Sequence, residues 1–235
     1  MQDQHHKSLH YYGRRRSRRL RASHHGLIET LYPKYDLSAY CSKLLKKDHL
    51  KSIFGNRIKR YRLEIGFGAG EHLVQSATNN KNVGFIGIEP FKGGQAKLLA
   101  SIKKHQVTNI RLFNDDVWLL FDCFADGLFE KIYLHFPDPW PKKRHHKRRM
   151  IQFDSIMHFA RILQPNSQLQ IASDHHGYLN WILLHFHFSQ NYFKWLNVKP
   201  DQWFNPPNQW VETRYQQKAL QQNRPTTYLI YQKVQ

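Results

Sequence analysis

One stretch of this 235-residue sequence combines a carboxylate, an indole and a dense run of cations. Asp138 and Trp140 stand between three prolines, and six Lys or Arg residues follow between positions 142 and 149. Proline fixes the backbone angle φ and lacks an N–H group, so we expect both side chains on a stiff turn. The apolar run Ile132-Tyr133-Leu134 enters that turn as a buried strand would. The pattern predicts a pocket for a planar base beside a strip for phosphates; the alternative is a Pro-rich turn before a solvated basic helix.

A second set of residues predicts a ligand site at the first turn between a strand and a helix. Gly66, Gly68 and Gly70 follow Glu64 there, and glycine lets a backbone approach a ligand closely. A dinucleotide site has the spacing G-x-G-x-x-G, which would need glycine where this chain has Glu71. A carboxylate at Glu64 suits a ligand with an ammonium or sulfonium group better than one with a pyrophosphate.

Two later strands are followed by further carboxylates. Glu89 ends the second predicted strand, about 20 residues past the turn, where an acid can hold ribose hydroxyls. Asp115, next to Asp116, follows the third strand and suits an adenine amino group. The carboxyl ends of parallel strands bind ligands, so we expect these acids at one edge of the sheet. Helix capping is the alternative, which would explain Asp115 or Asp116 singly but not the whole set.

The elements that must position these residues alternate between strands and helices from Tyr61 onward. Strands are predicted at 62–65, 83–89, 110–113, 131–136, 169–172 and 226–231, and helices at 71–77, 91–104, 117–124, 150–163 and 175–188. This alternation predicts an α/β fold with a parallel sheet and helices on both faces. Residues 26–235 are long enough for a single domain of this kind.

The charge of the chain predicts a polyanionic partner. The sequence has 36 basic and 17 acidic side chains, a net charge of +19, which favours nucleic acid. No apolar run approaches the ~20 residues that span a bilayer, so we expect no membrane partner. Residues 1–25 hold six arginines between positions 14 and 21 with little apolar surface, which predicts a flexible basic arm that contacts RNA. We expect this arm to lie outside the ligand pocket.

Cysteine and histidine usage points to a reduced, metal-free protein. Cys41 and Cys123 form no disulfide framework, and no secretory signal is apparent, which predicts a cytoplasmic protein. The histidine pairs at 5–6, 24–25, 145–146 and 175–176 are adjacent rather than four residues apart. No cysteine pair joins them, so we predict no metal site.

Taken together, the turn 64–70, the acid Glu89, the run 137–149 and the segment Thr213-Arg214-Tyr215 resemble bacterial tRNA (guanine-N7-)-methyltransferases, over residues 25–235. The run 137–149 is specific to that family among methyltransferases. The resemblance implies a Rossmann-like class I fold with a mostly parallel seven-stranded sheet and helices on both faces. It also implies S-adenosylmethionine as cofactor and methylation of a variable-loop guanosine in tRNA. We expect a monomer rather than a homodimer.

The resemblance also implies roles for individual residues. Those that match the cofactor site are Glu64, Gly66, Gly68, Gly70, Glu89, Asp115 and Asp138, and Asp138 also matches the catalytic residue. Those that match substrate contacts are Lys142, Asp174, Thr213, Arg214, Tyr215 and Gln216. The family has Glu where this chain has Gln216, whose amide accepts a hydrogen bond but carries no charge.

The chemistry of guanine N7 agrees with these roles. The atom has a lone pair and no proton, so its methylation needs positioning rather than a general base. The product purine is more positive, and a carboxylate at Asp138 would favour that change. Trp140 either stacks on a base or anchors its own turn, while the six cations at 142–149 would contact phosphates.

Three other functions stay open at this point. A methyltransferase acting on exocyclic amino groups would have the order Asp/Asn-Pro-Pro-aromatic, whereas the first proline here precedes Asp138. A nucleotide-dependent oxidoreductase is disfavoured by the glycine spacing and by the charge. A non-catalytic RNA-binding protein would have no use for Glu64, Glu89 and Asp138 together.

Overall fold

The alternation of strands and helices expected from the sequence is present in a computed structural model, which describes Tyr12, Gly13, Arg15 and residues 21–235. The strands are β1 Arg60–Ile65, β2 Val83–Ile88, β3 Ile110–Phe113, β4 Phe129–His135, β5 Leu163–Ser173, β6 Phe193–Trp195 and β7 Thr227–Lys233. The α-helices are α1 Ala22–Thr30, α2 Lys47–Phe54, α3 Glu71–Asn79, α4 Lys92–His105, α5 Trp118–Phe121, α6 Phe153–Ile162, α7 His176–His187, α8 Pro200–Phe204 and α9 Arg214–Gln221. Short 3-10 helices cover Tyr32–Lys34, Ser38–Tyr40 and Lys143–Arg148.

The seven strands form one sheet in the order β3-β2-β1-β4-β5-β7-β6. Strands β1 to β5 pair in parallel, and β7 runs antiparallel to both β5 and β6. The predicted mostly parallel seven-stranded sheet is therefore confirmed. The strand order changes direction between β1 and β4, and the carboxyl ends of strands at such a switch point leave a crevice for ligands.

The centre of the sheet is buried on both faces. All six residues of β2 are buried, as expected for a continuous apolar run in a parallel sheet covered by helices on either side. One apolar cluster includes Leu63, Ile132 and Phe159. The other includes Leu73 and Phe85. The sheet packed between these two clusters positions the turns that follow β1, β2, β3 and β4.

The structure differs from the predicted elements mainly at their ends. Helix α6 begins at Phe153 rather than at 150 because Gln152 caps it: the Gln152 N–H donates to Ser155 Oγ at 3.0 Å. Strand β5 begins at Leu163, earlier than predicted, and within its first part only Pro165 and Asn166 are exposed. Strand β6 and helices α8 and α9 were not predicted, because each is short or strongly polar.

Two cysteines that are remote in sequence meet in the structure. The Cys123 thiol donates to the carbonyl oxygen of Cys41 at 3.0 Å, and neither cysteine forms a disulfide bond. Burial raises the pKa of the Cys41 thiol to about 12.

Among the described helices, none has the length and apolar character that a bilayer crossing requires.

Asn109, just before β3, provides a test of how the α3 end is fixed. Its buried amide donates to the carbonyl oxygens of Ala77, Asn80 and Val83 at 3.0, 3.1 and 2.8 Å. We predict that Asn109→Ala lowers the free energy of unfolding by about 1–3 kcal/mol, because buried carbonyls lose their donor. Urea denaturation measures this, with exposed Asn56→Ala as the control. Equal stabilities of the two variants would contradict the prediction.

Candidate active site

The turn between β1 and α3 has a backbone that favours glycine. Gly66, Gly68 and Gly70 have φ angles of 73°, 58° and 80°, in the region that side chains disfavour. Gly94, in the first turn of α4, packs directly against this turn, and a Cβ there would overlap the carbonyl oxygen of Gly68. The backbones of α4 and the glycine turn therefore touch with no side chain between them.

Glu89 follows β2 and is held by the same turn. Its two carboxylate oxygens accept hydrogen bonds from the backbone N–H groups of Gly68 and Phe91, each at 2.9 Å. Burial raises the pKa of Glu89 to about 7; the two N–H donors oppose the increase, and nearby Asp138 adds to it. A carboxyl group with this pKa changes protonation near neutral pH, so the charge of the site is adjustable there.

A cavity of about 580 Å³ opens at the carboxyl ends of β1, β2 and β4. Its walls include Glu89, Asp116, Asp138 and Tyr215. The volume lies within the range of about 300–1,000 Å³ that small-molecule sites have. The crevice expected at the switch point of the sheet is thus present, with carboxylates on several sides.

The turn after β4 carries Asp138 to the mouth of the cavity. Phe136 and Trp140 flank it with φ angles of 50° and 41°, which are uncommon for residues other than glycine. The Phe136 N–H donates to the carbonyl oxygen of Ala172 at 2.8 Å, which fixes the start of the turn to β5. The Asp138 side chain is exposed, yet the surrounding protein removes enough water to raise the pKa of its carboxyl.

Arg149 fixes the far side of this turn. Its Nε donates to the carbonyl oxygen of Pro139 at 2.8 Å, and its guanidinium lies 5.1 Å from the Tyr178 ring and 5.0 Å from the Trp181 ring. Arg149 is only 4% exposed, so its predicted phosphate contact is wrong. The exposed cations of the run are Lys142, Lys143, Arg144 and Lys147.

The two acids after β3 have different surroundings. Asp116 is buried and lines the cavity, while its Oδ1 accepts the N–H of Trp118 at 3.2 Å. Asp115, which the sequence favoured for the cofactor, pairs with Arg15 at 2.8 Å. The acid in the cavity wall is therefore Asp116, the neighbour of the predicted Asp115.

Glu64 lies beneath α3, outside the cavity wall. Its Oε2 is 2.7 Å from Nδ1 of His72, a distance at which the imidazole N–H donates to the carboxylate, and both side chains are 4% exposed. Nε2 of His72 is 3.2 Å from Ser76 Oγ. The His72 ring meets the cavity-lining His135 edge-on at 4.6 Å. Glu64 therefore supports the glycine turn and the cavity wall from behind.

Two of the predicted substrate residues, Asp174 and Arg214, are engaged in ion pairs. Asp174 pairs with Arg224 at 2.8 Å, and Arg214 pairs with Glu71 at 2.6 Å. Both pairs are partly exposed, so a polyanion could displace either acid at modest energetic cost. Lys142 is exposed beside the turn that carries Asp138.

Helix α9 brings Tyr215 over the glycine turn. Thr213 caps this helix by accepting the N–H of Gln216 at 3.3 Å. The Tyr215 ring faces Phe136 in a stacked arrangement, with 6.4 Å between ring centres, and it also contacts Gly68 closely. Burial raises the pKa of the Tyr215 hydroxyl, which keeps it neutral. Tyr215 thus offers an aromatic face at the cavity.

Gln216 uses both of its polar atoms within the protein. Its Oε1 accepts from Trp210 Nε1 at 2.6 Å, and its Nε2 donates to the Tyr228 hydroxyl at 2.9 Å. The Trp210 ring lies 4.6 Å from the His135 ring. Burial lowers the pKa of His135 well below its usual range, so this ring is neutral. Gln216 therefore positions Trp210 against a wall of the cavity.

Comparisons with known proteins show the family to which this chain belongs. The chain matches the family model described as "Putative methyltransferase" over residues 59–229. It is 41% identical over 226 residues to the tRNA (guanine-N(7)-)-methyltransferase of Chelativorans sp. (strain BNC1), covering 95% of each chain. It is 42% identical over 224 residues to that of Bartonella henselae, covering 94% of each chain. The chain belongs to the tRNA (guanine-N(7)-)-methyltransferase family.

Solved structures agree with the fold of a class I methyltransferase. The 16S rRNA methyltransferase KamB matches with a TM-score of 0.58 at 11% identity, over 82% of this chain and 96% of that one. A 30S ribosomal A1408 methyltransferase from an uncultured bacterium matches with a TM-score of 0.51 at 20% identity, over the same shares. At these identities the likeness concerns the fold alone.

In this family member, the sequence did not reveal several residues that line or support the cavity. Tyr12 and Gly13 are part of its wall, so the expectation that the arm lies outside the pocket is wrong. The rest of the arm's first twenty residues, apart from Arg15, lies outside the described residues. No sequence signal marked Tyr12, because the contact shown for its ring, with Arg148, is remote in sequence. Within the described residues, no cluster of three or more His, Cys, Asp or Glu could hold a metal.

The two hydrogen bonds of Gln216 predict how substitutions behave. Gln216→Leu should lower the free energy of unfolding by about 1–3 kcal/mol, since Trp210 and Tyr228 both lose a half-buried hydrogen-bond partner. Gln216→Glu should cost less, because a carboxylate accepts from both groups. Urea denaturation followed by tryptophan fluorescence measures this, with exposed Gln222→Leu as control. A Leu variant as stable as the control would contradict the positioning role.

Proposed function

We propose that this protein transfers a methyl group from S-adenosylmethionine to N7 of a guanosine in the variable loop of tRNA. The observation that carries the proposal is the cavity at the switch point of the sheet, with Glu89 in its wall and Asp138 at its mouth. Family membership supports it, since the chain is 41% identical over nearly its full length to a curated tRNA (guanine-N(7)-)-methyltransferase.

The residues of the cavity fit S-adenosylmethionine. The glycine turn offers a backbone surface that no Cβ obstructs, and Gly94 keeps α4 close behind it. The Glu89 carboxylate faces the cavity and suits the two ribose hydroxyls. Asp116 also lines the cavity, and its carboxylate suits the adenine amino group. The roles of Glu64 and Asp115 as direct cofactor contacts stay predictions, because His72 and Arg15 occupy their carboxylates.

Methylation of guanine N7 requires no proton transfer by a residue of this protein. When bound, the cofactor supplies an electrophilic sulfonium methyl group. Guanine N7 has a lone pair and no proton, so no residue of this chain needs to act as a base, and positioning is the main requirement. Asp138 lies at the cavity mouth, where its carboxylate accepts hydrogen bonds from the guanine N1–H and N2–H₂ groups. The same charge stabilises the purine as it becomes positive.

The surface around the mouth suits tRNA. Lys142, Lys143, Arg144 and Lys147 are exposed beside the Asp138 turn, and cations at such a rim bind phosphates. Phe136 and Tyr215 present parallel rings at the cavity, where a base extruded from the loop would stack. We further propose a monomeric, cytoplasmic enzyme that needs no metal; size-exclusion chromatography with light scattering tests the first of these.

The decisive experiment is incubation with undermodified tRNA and methyl-labelled S-adenosylmethionine, followed by nucleoside mass spectrometry. The proposal expects 7-methylguanosine in the variable loop. Label on an exocyclic amino group would identify a different base methyltransferase instead. Tight tRNA binding with no labelled nucleoside would indicate an RNA-binding protein without this activity.

Asp138→Asn should lower kcat by about 10²-fold or more, because the amide removes the charge that stabilises the transition state. The fold should be unaffected, since the side chain is exposed at the cavity mouth. Single-turnover assays with saturating tRNA measure the rate. Asp48→Asn, a remote surface acid paired with Lys51, is the matched control. Near-normal turnover by Asp138→Asn would sink the catalytic assignment.

Cofactor affinity should depend on pH through Glu89. Its pKa of about 7 in the free protein means that the carboxyl is partly protonated at neutral pH, whereas ribose hydroxyls favour the carboxylate. Binding therefore lowers this pKa and releases a proton, so affinity rises between about pH 6 and 8 and levels off above. Glu89→Ala should bind more weakly, by about 1.5–3 kcal/mol for each lost hydroxyl contact, and lose this pH dependence.

Calorimetry in buffers of different ionisation enthalpy counts the released proton directly. The same titration on Asp48→Asn serves as the control, because that acid is remote from the cavity. A pH-independent affinity in the wild-type protein, or one that falls with rising pH, would show that Glu89 does not titrate on binding.

A further inference from the structure

We propose that Tyr12, Gly13 and Arg15 form a wall of the cofactor cavity and retain bound S-adenosylmethionine there; this rests on the function proposed above. Tyr12 and Gly13 line the same cavity as the glycine-turn residue Gly66. The segment was expected only to contact RNA, so its place in the cofactor site is a separate property of the arm.

The Tyr12 ring is attached to the turn that carries Asp138. The guanidinium carbon of Arg148 lies 5.1 Å from the centre of the Tyr12 ring and 5.0 Å from the centre of the Trp140 ring. Guanidinium groups stack favourably on aromatic faces. Arg148 also lines the cavity, and its Nε has no hydrogen-bond partner among the described residues. The position of the Arg148 guanidinium therefore depends on the two aromatic rings that it contacts, and Tyr12 supplies one of them.

The other end of the segment is attached to the opposite side of the cavity. Arg15 pairs with Asp115 after β3 at 2.8 Å, and its carbonyl oxygen accepts the N–H of Lys92 at 3.3 Å, at the start of α4. We call the described residues Tyr12, Gly13 and Arg15 the strap; three attachments, through the Tyr12 ring, the Arg15 side chain and the Arg15 backbone, hold it in place. It runs from the Asp138 turn to the side expected to hold adenine.

This arrangement gives Asp115 a role through Arg15. Its carboxylate faces the strap rather than the cavity wall, where Asp116 stands instead. Asp115 is then a positioning residue that holds the wall closed. Since Tyr12 is 43% exposed, the core does not fix its ring, and loss of either attachment should open the cavity to solvent.

Calorimetric titration of the full-length protein with S-adenosylmethionine tests the wall. Tyr12→Ala should raise the dissociation constant about tenfold, a loss of roughly 1.4 kcal/mol; Tyr12→Phe should stay within about twofold, because the ring and not the hydroxyl makes the stack. Tyr192→Ala replaces a tyrosine of equal exposure, 43%, that lies outside this cavity, and it should bind as the wild type does. Thermal denaturation without ligand checks that each variant is folded.

A double-variant cycle tests the attachment at Asp115. Arg15→Ala and Asp115→Asn should weaken binding by similar factors, and the double variant should bind no more weakly than either one. Arg57→Ala, an exposed arginine elsewhere, controls for lost charge. Additive losses would overturn the role of Asp115 through Arg15, because its carboxylate would then act on the ligand independently.

Unchanged or tighter binding by Tyr12→Ala would overturn the wall itself; tighter binding would mean that the segment obstructs the cavity. Either result leaves the proposed function intact, provided that the wild-type protein binds S-adenosylmethionine and methylates tRNA. Failure of the wild-type protein to bind S-adenosylmethionine at all would instead reject the proposed function.

Discussion

Two glycines from different elements touch where β1 turns into α3, and the geometry of the cavity depends on that contact. Because Gly94 has no Cβ, the first turn of α4 lies against the backbone of Gly68. This leaves the N–H of Gly68 directed at Glu89, which it binds at 2.9 Å. A side chain at Gly94 would meet the carbonyl oxygen of Gly68, separate α4 from the turn and move this acid. The position of Glu89 is therefore set by backbone approach rather than by side-chain packing.

The opposite side of the same turn is fixed by a buried polar layer. Glu64 pairs with His72 beneath α3, and His135 lies between His72 and Trp210. Buried polar groups of this kind stabilise a fold only when most of them have partners. Gln216 extends the layer by accepting a hydrogen bond from the Trp210 indole. The cavity wall at His135 thus depends on a helix near the end of the chain as well as on the glycine turn.

The fold and the chemistry of the site were predictable to different extents. The strands and the Asp138 turn were predictable, because apolar runs, prolines and glycines impose local geometry whatever surrounds them. Partners across the sheet were not, since nothing local indicates that Arg149 binds Pro139 or that Arg15 binds Asp115. Arg149 lies in a run of six cations, yet it is buried because two aromatic rings of α7 receive it. The sequence shows that Arg149 is charged, but only the packing shows that it holds the Asp138 turn in place.

The arrangement of charge explains how one chain accommodates both a cationic small molecule and a polyanion. Glu89, Asp116 and Asp138 line the cavity, whereas Lys142, Lys143 and Arg144 are exposed outside its wall and Lys147 is exposed at its edge. The cavity acids are partly desolvated, which raises the pKa of Glu89 and Asp138, so an entering positive charge stabilises their ionised forms. Charges at the rim are screened over about 10 Å at 0.1 M salt. Salt should therefore weaken tRNA binding strongly while acting less on the buried acids, and the net charge of +19 serves the RNA without opposing the cofactor.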